Sequence, residues 1–165
     1  QIQDDDVALK SLPAQPFLAL RHTCRDLSET FALVSDIGQT VPKQIQPKSL
    51  GRFAAVIHSE LYEVNNLDLE LGFLLNHDLN LTVPLSHGLV MAVRELPPMA
   101  TAVTTVRIGG PEKNIPCYSA IGTWAETHQY QLTGPGREVF LVPPKPGHES
   151  EMVAEIQFPV AEFSA

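Results

Sequence analysis

Glu138 stands at the head of a short apolar run in GPGREVFLVPP (residues 134–144), where two chemistries are open to a carboxylate. At a strand end in water it is an ordinary charge, paired with Arg137 or Arg52 in a surface contact worth about 0–1 kcal/mol. Set against apolar walls it is a desolvated anion, which costs several kcal/mol unless something positive meets it. The chain carries its own control: in LGRFAAV (residues 50–56), 85 positions earlier, the matching place holds Phe53. A backbone that accepts a phenyl ring there does not need an acid for packing. This weights the reading toward a carboxylate that receives a cation. Phe140, two residues on, shares its strand face. With Phe53, Tyr118, Trp124 and Tyr130 it could line a pocket by stacking and cation–π contact, at roughly 0.5–2 kcal/mol each. Aromatics at such spacing also build cores. Tyr118 and Trp124, whose hydroxyl and N–H need partners, are the better wall candidates.

Other chemistries find little support. His22 and Cys24 form H-x-C without a second ligand pair at zinc spacing, so no metal site is expected. No nucleophile elbow, phosphate loop or dinucleotide fingerprint occurs. RIGGPEKN (residues 107–114) reads as a loop flanking a groove. No catalytic residue, cofactor or metal is assigned. Cys24 and Cys117 form no motif.

These side chains must be positioned by a unit that the chain writes twice. VALKSLPAQPFLALR (residues 7–21) matches VMAVRELPPMATAVTT (residues 90–105), with Leu12-Pro13 answering Leu96-Pro97. Gly51-Arg52 answers Gly136-Arg137, and LDLELGF (residues 67–73) answers MVAEIQF (residues 152–158). The repeats run over about 5–75 and 88–161, within one domain spanning 1–165. Each has an extended pair bent at Leu-Pro, a helix, and two closing strands. Asp26 reads as the first helix's N-cap, with Glu29 three residues on and Leu27, Phe31, Val34, Ile37 and Val41 at helical spacing before Pro42. Asn114 reads as the second cap, with Pro116 in the first turn and Cys117, Ile121, Trp124 and His128 facing inward. The closing strands are 52–58 with 67–74, and 137–142 with 152–160. In 67–74, Leu67, Leu69, Leu71 and Phe73 alternate with Asp68, Glu70 and Gly72, which predicts one face on the core and one on water. Glu70 and Glu155 occupy matching places on the polar faces of their strands, and this symmetric retention reads as structural. Strands 52–58 and 137–142 are apolar on both faces, so either the sheet closes on itself or one face lines a cavity.

Hydrophobic residues make up 44% and charged residues 18%, as in a folded globular chain. The net charge of −8, without clustered Lys or Arg, argues against direct contact with nucleic acid. No apolar run approaches the roughly 20 residues that span a bilayer. QIQDDD carries no secretory signal and no initiator Met, which suggests a piece of a longer chain in a cytoplasmic setting.

VALKSLPAQPFLALR looks like the opening strand of the effector-binding domains attached to MerR-type transcription regulators. GPGREVFLVPP with EIQFPV resembles the closing motif of the GyrI-like, or AraC-type, effector-binding superfamily. The likeness covers nearly the whole chain and is strongest over 90–160. It implies an α+β fold of duplicated β-α-β-β units with pseudo-twofold symmetry, in which a curved antiparallel sheet or barrel and two main helices frame a ligand groove. Members bind bulky, lipophilic, often cationic aromatic compounds through a buried glutamate and a ring of aromatics. Carried over, the glutamate is Glu138 and the ring is Phe140, Tyr118, Trp124 and Phe53. Many members have glycine near His128-Gln129, where this chain has none. The implied partners are a small-molecule effector and, in a full-length parent, a second copy and DNA reached through a separate N-terminal domain. The alternatives on the same scaffold are a stand-alone drug-sequestering protein and a hydrolase of strained lipophilic compounds, with Glu138 as general base.

Overall fold

The computed structural model describes residues 6–60 and 62–163; the start of QIQDDD, and with it residue 5 of the first repeat, lies outside the described residues. The strands are β1 (Ala8–Leu12), β2 (Gln15–Cys24), β3 (Leu50–Ile57), β4 (Leu67–Leu75), β5 (Thr82–Pro84), β6 (Val90–Leu96), β7 (Met99–Ile108), β8 (Tyr130–Leu132), β9 (Gly136–Val142) and β10 (Val153–Glu162). The helices are α1 (Leu27–Thr40) and α2 (Asn114–Thr127). Nine strands make an antiparallel path β1-β7-β10-β9-β3-β4-β2-β6-β5, and β8 pairs with β10. The α+β fold that the resemblance implied is present, as β2-α1-β3-β4 and β7-α2-β9-β10. The repeats meet at β3–β9, where Ala55 pairs with Glu138 and Val56 with Arg137.

Each repeat sends its opening strand into the other. β1 pairs with β7 and β6 with β2, so neither forms a hairpin with the strand that follows it. Pro13 and Pro97-Pro98 sit in the connections, and proline supplies no ladder donor for a tight hairpin. The chain bends there and crosses over.

Helix α1 begins as its sequence predicts: the Asp26 carboxylate accepts from the Glu29 N–H at 2.9 Å, and Pro42 lies in the 3-10 turn (Val41–Lys43) that follows. Helix α2 corrects its expectation. Asn114 is the first helical residue, preceded by a 3-10 turn over Pro111–Lys113, and it caps nothing; its Oδ1 accepts from Arg107 instead. Cys117, Ile121 and Trp124 are buried, but His128 is exposed at the helix end, where its ring stacks on Trp124. Gln129 takes φ +62°, a left-handed conformation that glycine would adopt without strain.

Two patterning expectations change. Glu70, placed on a water-facing surface by alternation, is buried, with the side chains of Arg94 from β6 and His58 against its carboxylate. On β9, cover on both sides ends early: Leu141 and Val142 are exposed, since β3 pairs only with residues 136–139. One apolar cluster joins α1 to β2, β3 and β4, and a second joins α2 to β7 and β10. A third, around Phe17, Ala54 and Leu96, occupies the opposite face of the sheet.

Candidate functional site

Between the two helices the shared β3–β9 face is left partly uncovered. The result is a cavity of about 490 Å³ lined by both repeats, within the roughly 300–1,000 Å³ usual for small-molecule sites. The walls are apolar: Phe31 and Val34 from α1, Phe53 and Ile57 from β3, Leu69 from β4, and Met152 ahead of β10. The connection from β3 to β4 roofs it. There Tyr62, at φ +72°, sets its ring 6.1 Å from that of Tyr118 and its hydroxyl 3.4 Å from Ser119 Oγ.

Glu138 is in the floor, 7% exposed, and it is not alone. Its Oε1 accepts from Arg107 Nη1 at 2.8 Å and its Oε2 from the Tyr118 hydroxyl at 2.9 Å. The burial expected of a desolvated carboxylate is present, but the pairing differs. The carboxylate is neither unpaired nor joined to Arg137 or Arg52: Arg137 donates to Pro97 O and Arg52 to Leu141 O, while the partner is Arg107 at the end of β7. Arg107 is 1% exposed and further held by Gly109 O at 3.1 Å, Asn114 Oδ1 at 2.6 Å and Met152 Sδ at 3.5 Å. Burial, then the charge and hydrogen bond of Glu138, push the Tyr118 phenol far above its usual range, so it stays a neutral donor. Burial likewise raises the Cys117 thiol, which favours its protonated form.

Of the predicted residues, Glu138, Phe140, Tyr118 and Phe53 line this one cavity. Phe53 contacts Phe140 at 5.9 Å and Phe73 at 5.3 Å between ring centres. Trp124 does not line it. It packs in the core beneath α2, stacked at 4.3 Å on His128 and 5.4 Å from Tyr130. In the sheet register Ala55 pairs directly with Glu138. Phe53 lies two residues along the same face.

Sequence reasoning missed Arg107, Ser59 and the rim. Ser59 Oγ is buried in the lining without a hydrogen-bond partner among the described residues. Glu60, Glu63, Glu112 and Glu149 also line the cavity; the first three are exposed and the last half-buried. Arg107 opens RIGGPEKN, and an arginine as the one charged residue of an otherwise uncharged strand was the available signal. Among the described residues no group of three or more His, Cys, Asp or Glu could hold a metal ion. No helix among them is long and apolar enough to cross a membrane.

No protein-family profile and no curated protein sequence matches the chain. Solved structures do. The crystal structure of the EcmrR C-terminal domain is similar over 95% of this chain and 98% of its own, with 26% identity and a TM-score of 0.76. In an EcmrR–DNA complex the same likeness (26% identity, TM-score 0.77) covers 95% of this chain but 57% of the EcmrR chain, so this sequence spans little more than half of that relative. A hydrolase from Listeria innocua shares the fold at 12% identity and TM-score 0.62, covering 94% of this chain and 91% of that one. So does SAV2435, bound to tetraphenylphosphonium, at 12% identity and TM-score 0.55, covering 94% and 93%.

Proposed function

We propose that this chain, which has the fold of the GyrI-like effector-binding domains, takes up a lipophilic aromatic effector and favours positive charge. In a longer parent its occupancy would bias a transcription regulator that reaches DNA through another domain. One observation carries the reading: both repeats contribute to an apolar cavity with a buried carboxylate in its floor and four carboxylates around it. Apolar walls supply affinity in proportion to the area they take from water. The surrounding glutamates raise the local concentration of cations and disfavour anions. A hydrogen-bonding group on the effector would satisfy Ser59 Oγ. The likeness to EcmrR, which is seen on DNA, supports the regulatory setting. SAV2435 supports the ligand class by fold alone. Both oxygens of Glu138 already accept hydrogen bonds, which argues against a general base acting on water.

The test is calorimetric titration with tetraphenylphosphonium. Saturable one-to-one binding is expected, and Ala55→Phe, which fills the floor beside Glu138, should abolish it while thermal unfolding remains cooperative. Equal affinity in the filled variant would remove the cavity as the site. Release of a hydrolysed product from a strained lipophilic substrate would replace the binding role with an enzymatic one.

A further inference from the structure

Arg107 lies where a ligand's positive charge would otherwise sit. It pairs with Glu138 at 2.8 Å, is 1% exposed, and lines the same cavity as its partner. Three further contacts, to Gly109 O, Asn114 Oδ1 and Met152 Sδ, account for Nε, Nη1 and Nη2. A guanidinium held on all three nitrogens is not a mobile side chain waiting to be displaced. Moving it would strand a buried cation and leave Gly109 O and Asn114 Oδ1 without that donor, each at the cost of a lost buried hydrogen bond.

We infer that Arg107 is the resident counter-ion of the cavity floor: it keeps the floor neutral when an effector is bound, so any preference for cations comes from the rim carboxylates. This rests on the effector-cavity reading above and adds the charge logic inside it. Glu138 then serves chiefly to neutralise Arg107 and to orient the Tyr118 hydroxyl, with its two oxygens divided between them. The rim is placed for its task. Glu60 and Glu63 sit on the connection that roofs the cavity, and Glu112 and Glu149 lie on the side nearest the start of α2. Glu112 is held below the usual carboxylate range by backbone N–H donors, its own and that of Gly110, so its charge persists into mild acid.

Two probes of nearly the same shape and opposite charge, tetraphenylphosphonium and tetraphenylborate, separate these roles. The readout is the ratio of cation to anion affinity in four proteins: wild type, Arg107→Met, Glu138→Gln and the double variant. Arg107→Met leaves a bare carboxylate and should raise the ratio roughly ten- to a hundredfold. Glu138→Gln leaves a bare guanidinium and should lower it by a similar factor. The double variant, again neutral, should return to within about threefold of wild type. Should Arg107→Met fail to fold, Glu138→Gln and the double variant still decide. A double variant that binds the anion but has lost the cation would make Glu138 the direct receptor and overturn the assignment. An Arg107→Met ratio equal to wild type would overturn it as well. Absence of saturable binding of either probe in all four proteins would fail the cavity reading itself, and the charge assignment with it.

Discussion

Arg94 grips Glu70 in a two-point fork, Nε to Oε2 and Nη2 to Oε1, each at 2.6 Å, although the two residues belong to different repeats. The crossover of β6 onto β2 brings them together. The equivalent crossover of the other repeat, β1 onto β7, brings Lys10 to Glu155 at 2.6 Å. The two glutamates that the repeat alignment matched are thus the two anchors of the strand exchange. They differ in burial: the Glu70 side chain is 9% exposed and Glu155 17%, while Lys10 is 44% exposed.

Glu70→Gln should therefore destabilise by about 1–3 kcal/mol, and Glu155→Gln by less than about 1 kcal/mol, in urea unfolding. Burial alone would raise the Glu70 carboxyl, but hydrogen bonds from Arg94 and His58 outweigh it and hold the group below its ordinary 4.5. A depressed folded value gives stabilisation that is complete above 4.5 and lost as pH falls through the folded value. Wild type should lose stability more steeply than Glu70→Gln in that acid window; parallel profiles would contradict the fork's role.

Tyr118 titrates in the opposite sense. Its raised folded value gives stability that is whole below the ordinary 10.0 and drains away as pH climbs from there toward the folded value. Native wild type and Tyr118→Phe should show the same phenolate absorbance change around pH 10, because the Tyr118 phenol stays silent until unfolding. An extra tyrosine equivalent in the native wild type would place that hydroxyl in contact with water.

Gly72 and Gly38 invite opposite outcomes from one substitution. A Cβ on Gly72 would lie 1.9 Å from Leu18 O and 2.7 Å from Ala19 Cα, both backbone atoms of the paired strand β2. Gly72→Ala must push β2 and β4 apart and should cost upwards of about 3 kcal/mol or prevent folding. A Cβ on Gly38, inside α1, meets nothing within 4 Å, and Gly38→Ala should gain about 0.5–1 kcal/mol in thermal unfolding.

Trp124 and Phe140 separate fold from site. Trp124→Phe removes packing beneath α2 and should lower stability by about 1–3 kcal/mol while tetraphenylphosphonium affinity stays within about twofold. Phe140→Ala, in the cavity wall, should weaken that affinity about tenfold or more. The reverse pattern would move the site to the other side of α2.

Much of this architecture was legible in the sequence because the signals are local. Leu-Pro bends, the Asp26 cap and period-two strands depend on a residue and its near neighbours, and the duplication predicts the element order twice over. Comparing one repeat with the other tilted Glu138 toward an apolar setting, and the family resemblance added the aromatics around it. Partners were decided elsewhere. Nothing within a few residues of Arg107 or Glu138 says that they meet, since their contact depends on β7 and β9 flanking β10. The same holds for Arg94 on Glu70, which required strands to be exchanged between repeats. Local patterning chose which side chains turn inward. Only the packed sheet, whose low-dielectric interior makes an unmatched charge costly, chose which charges would face one another.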